Sequence, residues 1–196
     1  MKGVIKASTA DKYLTPLRSQ IVDLVKPNTT VVDFGCGSGD LLFKLSNKIT
    51  CGIGIDKSEN LISYASKRAH IAKFQNLEFR ISDIVKEPLI GLEKNYSIAS
   101  LLFHVLDWEA STELLKKIIS ISETTIICGF CKPNSFKQNL LLWLDQRFTA
   151  HYSNYKNYSR KGFTEGLLNS IENIKYDTIN TFDSCIKIYV ISKFNL

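Results

Sequence analysis

The sequence predicts an α/β fold, a mostly parallel seven-stranded sheet covered on both faces by helices and ending in an antiparallel hairpin. Two observations carry this expectation. Short β-branched runs alternate along the chain with longer amphipathic stretches, as in successive βαβ units. The last two β-type runs then follow each other so closely that no parallel crossover fits between them, so they must pair antiparallel.

Strands are expected near 30–35, 50–56, 77–83, 96–103, 125–130, 176–182 and 186–192, where Val, Ile, Thr and aromatic residues cluster between turn-forming residues. Helices are expected near 12–25, 39–47, 59–73, 112–120, 136–148 and 164–171, with Ser58 and Ser111 as N-caps. The stretch 132–166 is longer than a crossover requires and reads as a cap or insertion within one domain covering 1–196. There is no internal repeat and no low-complexity segment.

Composition narrows the class. A chain of 196 residues with 44% hydrophobic and 22% charged residues has enough apolar surface for one ordinary globular core. No apolar run reaches the roughly 18 residues that span a bilayer, and the opening residues MKGVIKASTADKYL lack a secretory apolar stretch, so a cytoplasmic location without membrane partners is expected. Five cysteines without framework spacing read as reduced thiols, and Cys128-Gly-Phe-Cys131 lies in and just after a strand with no second pair to complete a metal site. No metal is expected. The net charge of +6 is spread over scattered lysines, which reads as a solvated face, with RNA the less favoured partner.

The chemistry centres on VVDFGCGSGD at 31–40, where a β-branched run enters G-x-G-x-G and then a helix. Glycines permit left-handed backbone and close ligand approach, and the helix start offers unpaired N–H groups. A dinucleotide loop of the form G-x-G-x-x-G needs glycine at 40, where Asp40 stands. Asp33 beside the loop instead suits a cationic amino group. Asp56 ends the next strand 17 residues beyond Gly39, the spacing at which a carboxylate reaches a ribose diol. Asp83 follows the third strand, where a carboxylate can accept from an adenine amino group.

The series VVDFGCGSGD, GIGIDKS and ISDI resembles the first three motifs of class I S-adenosylmethionine-dependent methyltransferases, over roughly residues 30–108. The resemblance implies a Rossmann-like three-layer sandwich and S-adenosylmethionine as cofactor, with S-adenosylhomocysteine (SAH) as product. It implies that Asp33, Gly35 and Gly37 border the methionine moiety, that Asp56 binds the ribose, and that Asp83 with Ile84 contacts the adenine. Cys36 and Lys57, within the same motifs, belong to the expected cofactor-binding set.

In that family the residues after the fourth strand border the reacting methyl, and here they read LLFHVLDWEAS. His104 is accordingly the first candidate for a general base and His151 the second, by their unperturbed pKa. Asp107 and Trp108 are substrate candidates, as are Tyr152 and Tyr155, which recur with His151 and Tyr158 at near-helical spacing. The stretch lacks the Asn/Asp-Pro-Pro-aromatic and Pro-Cys signatures of nucleic-acid enzymes, so the expected reaction is in-line methyl transfer to a small-molecule acceptor. An RNA or protein methyltransferase, and a non-catalytic cofactor-binding or partner subunit, stand as the alternatives.

Overall fold

The computed structural model describes residues 12–193. The opening segment read above for a leader lies mostly outside these residues. In chain order the elements are α1 (Thr15–Leu24), β1 (Thr30–Phe34), α2 (Asp40–Leu45), β2 (Cys51–Asp56), α3 (Glu59–Ile71), β3 (Leu77–Ile81) and β4 (Lys94–Ser100). A 3-10 turn (Phe103–Val105) precedes α4 (Trp108–Ser120), β5 (Ser122–Phe130), α5 (Phe136–Gln146), α6 (Tyr152–Arg160), α7 (Phe163–Asn169), β6 (Asp177–Asn180) and β7 (Ile186–Ser192).

The strands form one seven-stranded sheet in the order β3-β2-β1-β4-β5-β7-β6. The first five pair in parallel, and β7 runs antiparallel between β5 and β6. The three-layer α/β sandwich with its terminal hairpin is therefore as the sequence predicted. Helices cover both faces, so the central strands are apolar throughout: Val31, Val32, Phe34, Ile98, Ile126 and Ile127 are all buried. Edge strand β6, exposed at three of its four residues, carries no such run.

Chain order reverses beside β1, which has β2 on one side and β4 on the other. Crevices at such switch points, beyond the carboxyl ends of the strands, are where open α/β sheets hold ligands. The glycine segment leaves β1 there, and residues 101–104 leave β4 there.

Two local expectations are corrected. Strand β4 stops at Ser100 and not at 103, because Leu101 takes a left-handed φ of 53° that ends the extended run. The helix expected over 112–120 starts four residues earlier, at Trp108. Its N-cap is Asp107, whose Oδ1 accepts from Ala110 N–H at 2.8 Å, and not Ser111, which is buried inside the helix with its hydroxyl donating to the Phe103 carbonyl at 3.3 Å. Ser58 does occupy the N-cap position of α3, without a side-chain cap bond. Among the described residues no helix is long and apolar enough to cross a membrane.

Candidate functional site

The glycine loop is shaped by what surrounds each glycine. Gly37 has φ +55° and Gly39 φ +77°, both in the region that an L side chain enters only with strain. At Gly39 a Cβ would lie 2.5 Å from the Phe79 ring, so this glycine lets the loop pack on β3. At Gly37 a Cβ would meet nothing within 4 Å, so the loop there faces open space. An open glycine beside a tightly packed one is the arrangement of a cradle that a ligand fills.

Asp56, at the end of β2, holds this loop in place. Its Oδ2 accepts from Gly37 N–H at 3.0 Å and its Oδ1 from Ser58 N–H at 2.8 Å. A carboxylate offers about four lone-pair sites. Two backbone bonds therefore leave Asp56 able to accept from a pair of hydroxyls at the cradle's rim. Asp83, after β3, accepts from Val85 N–H at 3.2 Å and pairs with Lys86 at 3.5 Å, and Ile84 beside it is buried.

Asp33 lies under the loop at the end of β1 and is only 3% exposed. Burial pushes its carboxyl up to about pKa 7, the Arg18 guanidinium works against that rise, and Asp56 adds to it. Arg18 also donates to Asp40 Oδ2 at 3.0 Å, and Lys44 and Arg68 approach the same carboxylate at 3.7 and 3.8 Å. The residue that excluded a dinucleotide loop thus anchors α1, α2 and α3 together behind the cradle.

The match to known proteins agrees with this geometry. The family model described as a methyltransferase domain covers residues 25–174, from the end of α1 to the approach to β6. The chain belongs to the methyltransferase-domain family. Aklanonic acid methyltransferase DauC of Streptomyces sp. (strain C5) is 33% identical over 86 residues, 39% of this chain and 39% of that protein. Phosphoethanolamine N-methyltransferase 1 of Arabidopsis thaliana is 31% identical over 111 residues, 55% of this chain and 22% of that protein. The matched segments thus span well under half the length of these curated relatives. Among solved structures, the magnesium protoporphyrin IX methyltransferase of Synechocystis PCC 6803, with SAH bound, superposes with a TM-score of 0.65 at 17% identity. That alignment covers 93% of this chain and 83% of the other, and it shows a shared fold.

The fold is that of the class I methyltransferases, whose cofactor is S-adenosylmethionine, and the cradle fits that molecule. The open face of Gly37 admits close approach, and Asp56 at the adjoining strand end keeps lone pairs able to accept from a diol. Cys36 in this methyltransferase domain is a buried small residue whose thiol pKa is pushed up by burial, so it serves as packing and not as a nucleophile.

Beyond the cradle the methyltransferase domain has a cavity of about 540 Å³. Leu101 and His104 enter it from the end of β4 and Phe130 from the end of β5. Leu102, between the first two, packs against Gly35 of the loop, where an added Cβ would come within 2.9 Å of it. Cavity and cradle therefore share one short segment. The remaining walls are Tyr13 and Leu14, the inner side of α5, and residues 183–186 of the terminal hairpin.

His104 lies 4.9 Å edge-on from Phe130 and 5.3 Å from His151, ring centre to ring centre. Burial, with a smaller push from His151, holds its pKa down at about 3. His151 is also lowered, by burial first; Asp145 raises it, and the Lys57 charge lowers it.

The four expected substrate residues do not line the cavity. Asp107 caps α4, and Trp108 receives Lys161 over its ring at 4.9 Å. Tyr152 accepts from the Trp143 indole N–H at 3.0 Å, and Tyr155 is buried among Phe130, Phe163 and Tyr152. The near-helical spacing of residues 151–158 is that of a helix packing its aromatic side into the core. The cavity's polar residues, Tyr13, Gln138, Asp145, Gln146 and Asp183, went unrecognised in the sequence. Their one visible signal is the run FKQNLLLWLDQRF, too apolar for a helix with one buried side, and Phe136, Leu140, Leu141, Leu144 and Phe148 are indeed exposed. Among the described residues no cluster of His, Cys, Asp or Glu is arranged to hold a metal ion.

Proposed function

We propose that this chain transfers a methyl group from S-adenosylmethionine to a small-molecule acceptor bound in the cavity, with residues 132–166 as the cap over it. The carrying observation is the shared segment: Leu102 packs on Gly35 of the cradle while Leu101 and His104 line the cavity. A molecule in each compartment would meet there.

The cofactor supplies an activated methyl on a good leaving group. The chain's own work is alignment and exclusion of water, which can lower a bimolecular barrier by up to about 7 to 11 kcal/mol. Asp56 orients the loop through Gly37 N–H and would accept from the ribose hydroxyls. Asp83 and Ile84 would bound the adenine end, Lys57 would edge the cleft, and the buried Asp33 would sit behind the methionine end. The left-handed Leu101 turns the chain after β4 so that His104 faces the acceptor side.

His104 acts in this reading as a neutral hydrogen-bonding partner and not as the base. With its conjugate acid at about pKa 3, it binds a proton roughly a thousandfold more weakly than an ordinary imidazole. Where the acceptor must lose a proton, the half-exposed His151 is the better-matched group.

Calorimetric titration with S-adenosylmethionine and SAH, with NAD as control, tests the cofactor reading. Both sulfur compounds bind saturably and NAD does not. Asp56→Ala weakens the binding by about tenfold or more, the loss of charge-assisted hydrogen bonds. Failure of both to bind overturns the function, and binding without turnover on any acceptor class would mark a non-catalytic subunit.

A further inference from the structure

We propose that the cavity selects an acceptor with an apolar body and a cationic amine, the amine held at the wall formed by Asp145, Gln146 and Asp183. This rests on the reading above that the cavity takes the acceptor.

The chain as a whole carries a net charge of +6, yet this cavity has the opposite character. Asp145 and Asp183 line it, and no Lys or Arg does so among the described residues. His104, the one histidine in the wall, is uncharged at neutral pH. An anionic ligand would find no counter-charge among the described residues of this wall.

Hydrogen bonding points the same way. Tyr13 O–H donates to Asp183 Oδ2 at 2.9 Å, Gln138 Nε2 to Ser184 Oγ at 2.6 Å, and Gln146 Nε2 to Asp145 Oδ2 at 2.7 Å. These three wall donors are engaged with the protein, and carboxylate and amide oxygens line the cavity beside them. Gln146 Oε1 is the clearest of these. The residue is only 5% exposed, and this buried carbonyl oxygen has no hydrogen-bond partner among the described residues. A buried acceptor left unpaired is costly, and in this proposal the lining residue Gln146 turns that oxygen into the cavity to accept a ligand N–H. Beside it Asp145 supplies charge, and Asp183 is held in place by its Oδ1, which accepts from Cys185 N–H at 2.8 Å.

The rest of the lining is apolar: Leu14, Leu101, Phe130, Leu142 and Ile186. Such walls bury a hydrocarbon or aromatic body, and the faces of Tyr13 and Phe130 also favour a cation nearby.

The test is an NMR titration of the SAH-saturated protein at neutral pH with three probes of one shape: 2-phenylethylamine, 2-phenylethanol and 3-phenylpropionate. The amine binds about tenfold tighter than the alcohol, the gain of one charge-assisted hydrogen bond, and the carboxylate binds weakest. Asp145→Asn, at an exposed helix position, removes most of the preference without disturbing the core, and Asp183→Asn removes a further part. Leu141→Trp, at a wall residue 56% exposed, blocks all three probes. Equal binding of amine and alcohol, a preference for the carboxylate, no binding of any probe, or a preference unchanged in Asp145→Asn would each overturn the proposal. SAH binding in the same samples separates the two readings. If SAH binds and the amine preference is missing, only this inference fails; if SAH does not bind, the methyltransferase reading itself fails.

Discussion

Replacing Asp33 by Asn exchanges a buried ionisable carboxyl for a neutral amide of nearly the same shape, and the consequence depends on pH. The carboxyl titrates near 3.8 in an unperturbed setting and near 7 in the fold. Below pH 3.8 it is protonated in both states and costs nothing by ionisation. As pH rises the unfolded chain releases its proton first, so stability falls until the folded carboxyl also ionises near pH 7, and then levels off. The gap between the two pKa values corresponds to a total loss of about 4 kcal/mol, the smaller part of which is already incurred at pH 5. The amide introduced by Asp33→Asn is neutral throughout. Relative to wild type, the variant therefore gains about 2 to 3 kcal/mol between pH 5 and pH 9. Urea denaturation of both proteins at pH 5, 7 and 9 without cofactor measures this difference, with an unchanged m-value as the sign that only stability moved. A stability difference between variant and wild type that is the same at all three pH values would refute the argument, because it would place the Asp33 carboxyl in a solvated site.

Two further predictions separate ligand effects from fold effects. Gly37→Ala costs about 1 to 2 kcal/mol of stability from its left-handed φ alone, but lowers SAH affinity strongly, since the added methyl projects into the cradle. Gly39→Ala drives a methyl into Phe79 and costs roughly 2 to 4 kcal/mol by overpacking and φ together, visible in thermal melts without ligand. Equal effects of the two on stability would contradict the packing described. His104→Asn leaves the shape of the pH–rate profile between pH 6 and 8 unchanged, because the wild-type ring carries no charge in that range. Loss of an apparent pKa in that window on substitution would make His104 the base after all. In denaturation the depressed His104 pKa acts with the opposite sign to Asp33: its stabilising effect is present above pH 6.5 and is lost as pH falls toward 3.

Local pattern determined a great deal of this protein. The run Thr30–Phe34 is β-branched because it is buried on both faces, and the three glycines after it are where the backbone must turn left-handed or meet another element closely. Neighbouring residues carry that information, so the strand, loop and helix could be read together, as could Asp56 at the next strand end. The terminal hairpin was legible because chain length between strands limits their direction. Ser111 and Asp107 mark the boundary of such reading: both are good capping types four positions apart, and only the path of the chain after β4 decides that Asp107 caps and Ser111 is buried.

The cavity beyond the loop belongs to the tertiary structure. Tyr13, residues 138–146 and the turn 183–186 are distant in sequence and meet because β7 folds back beside β5 and carries the turn to the cavity's edge. Residues 151–158 repeat at helical spacing whether they face a ligand or the core, and burial placed Tyr155 and Tyr158 in the core. Burial likewise sets His104 near pKa 3 and Asp33 near 7, shifts that depend on distance from water and on charges from other elements. The sequence by itself determined the glycine loop because it is built from adjacent residues. Only the tertiary structure decided the cavity wall, because its charges come from segments that no local pattern connects.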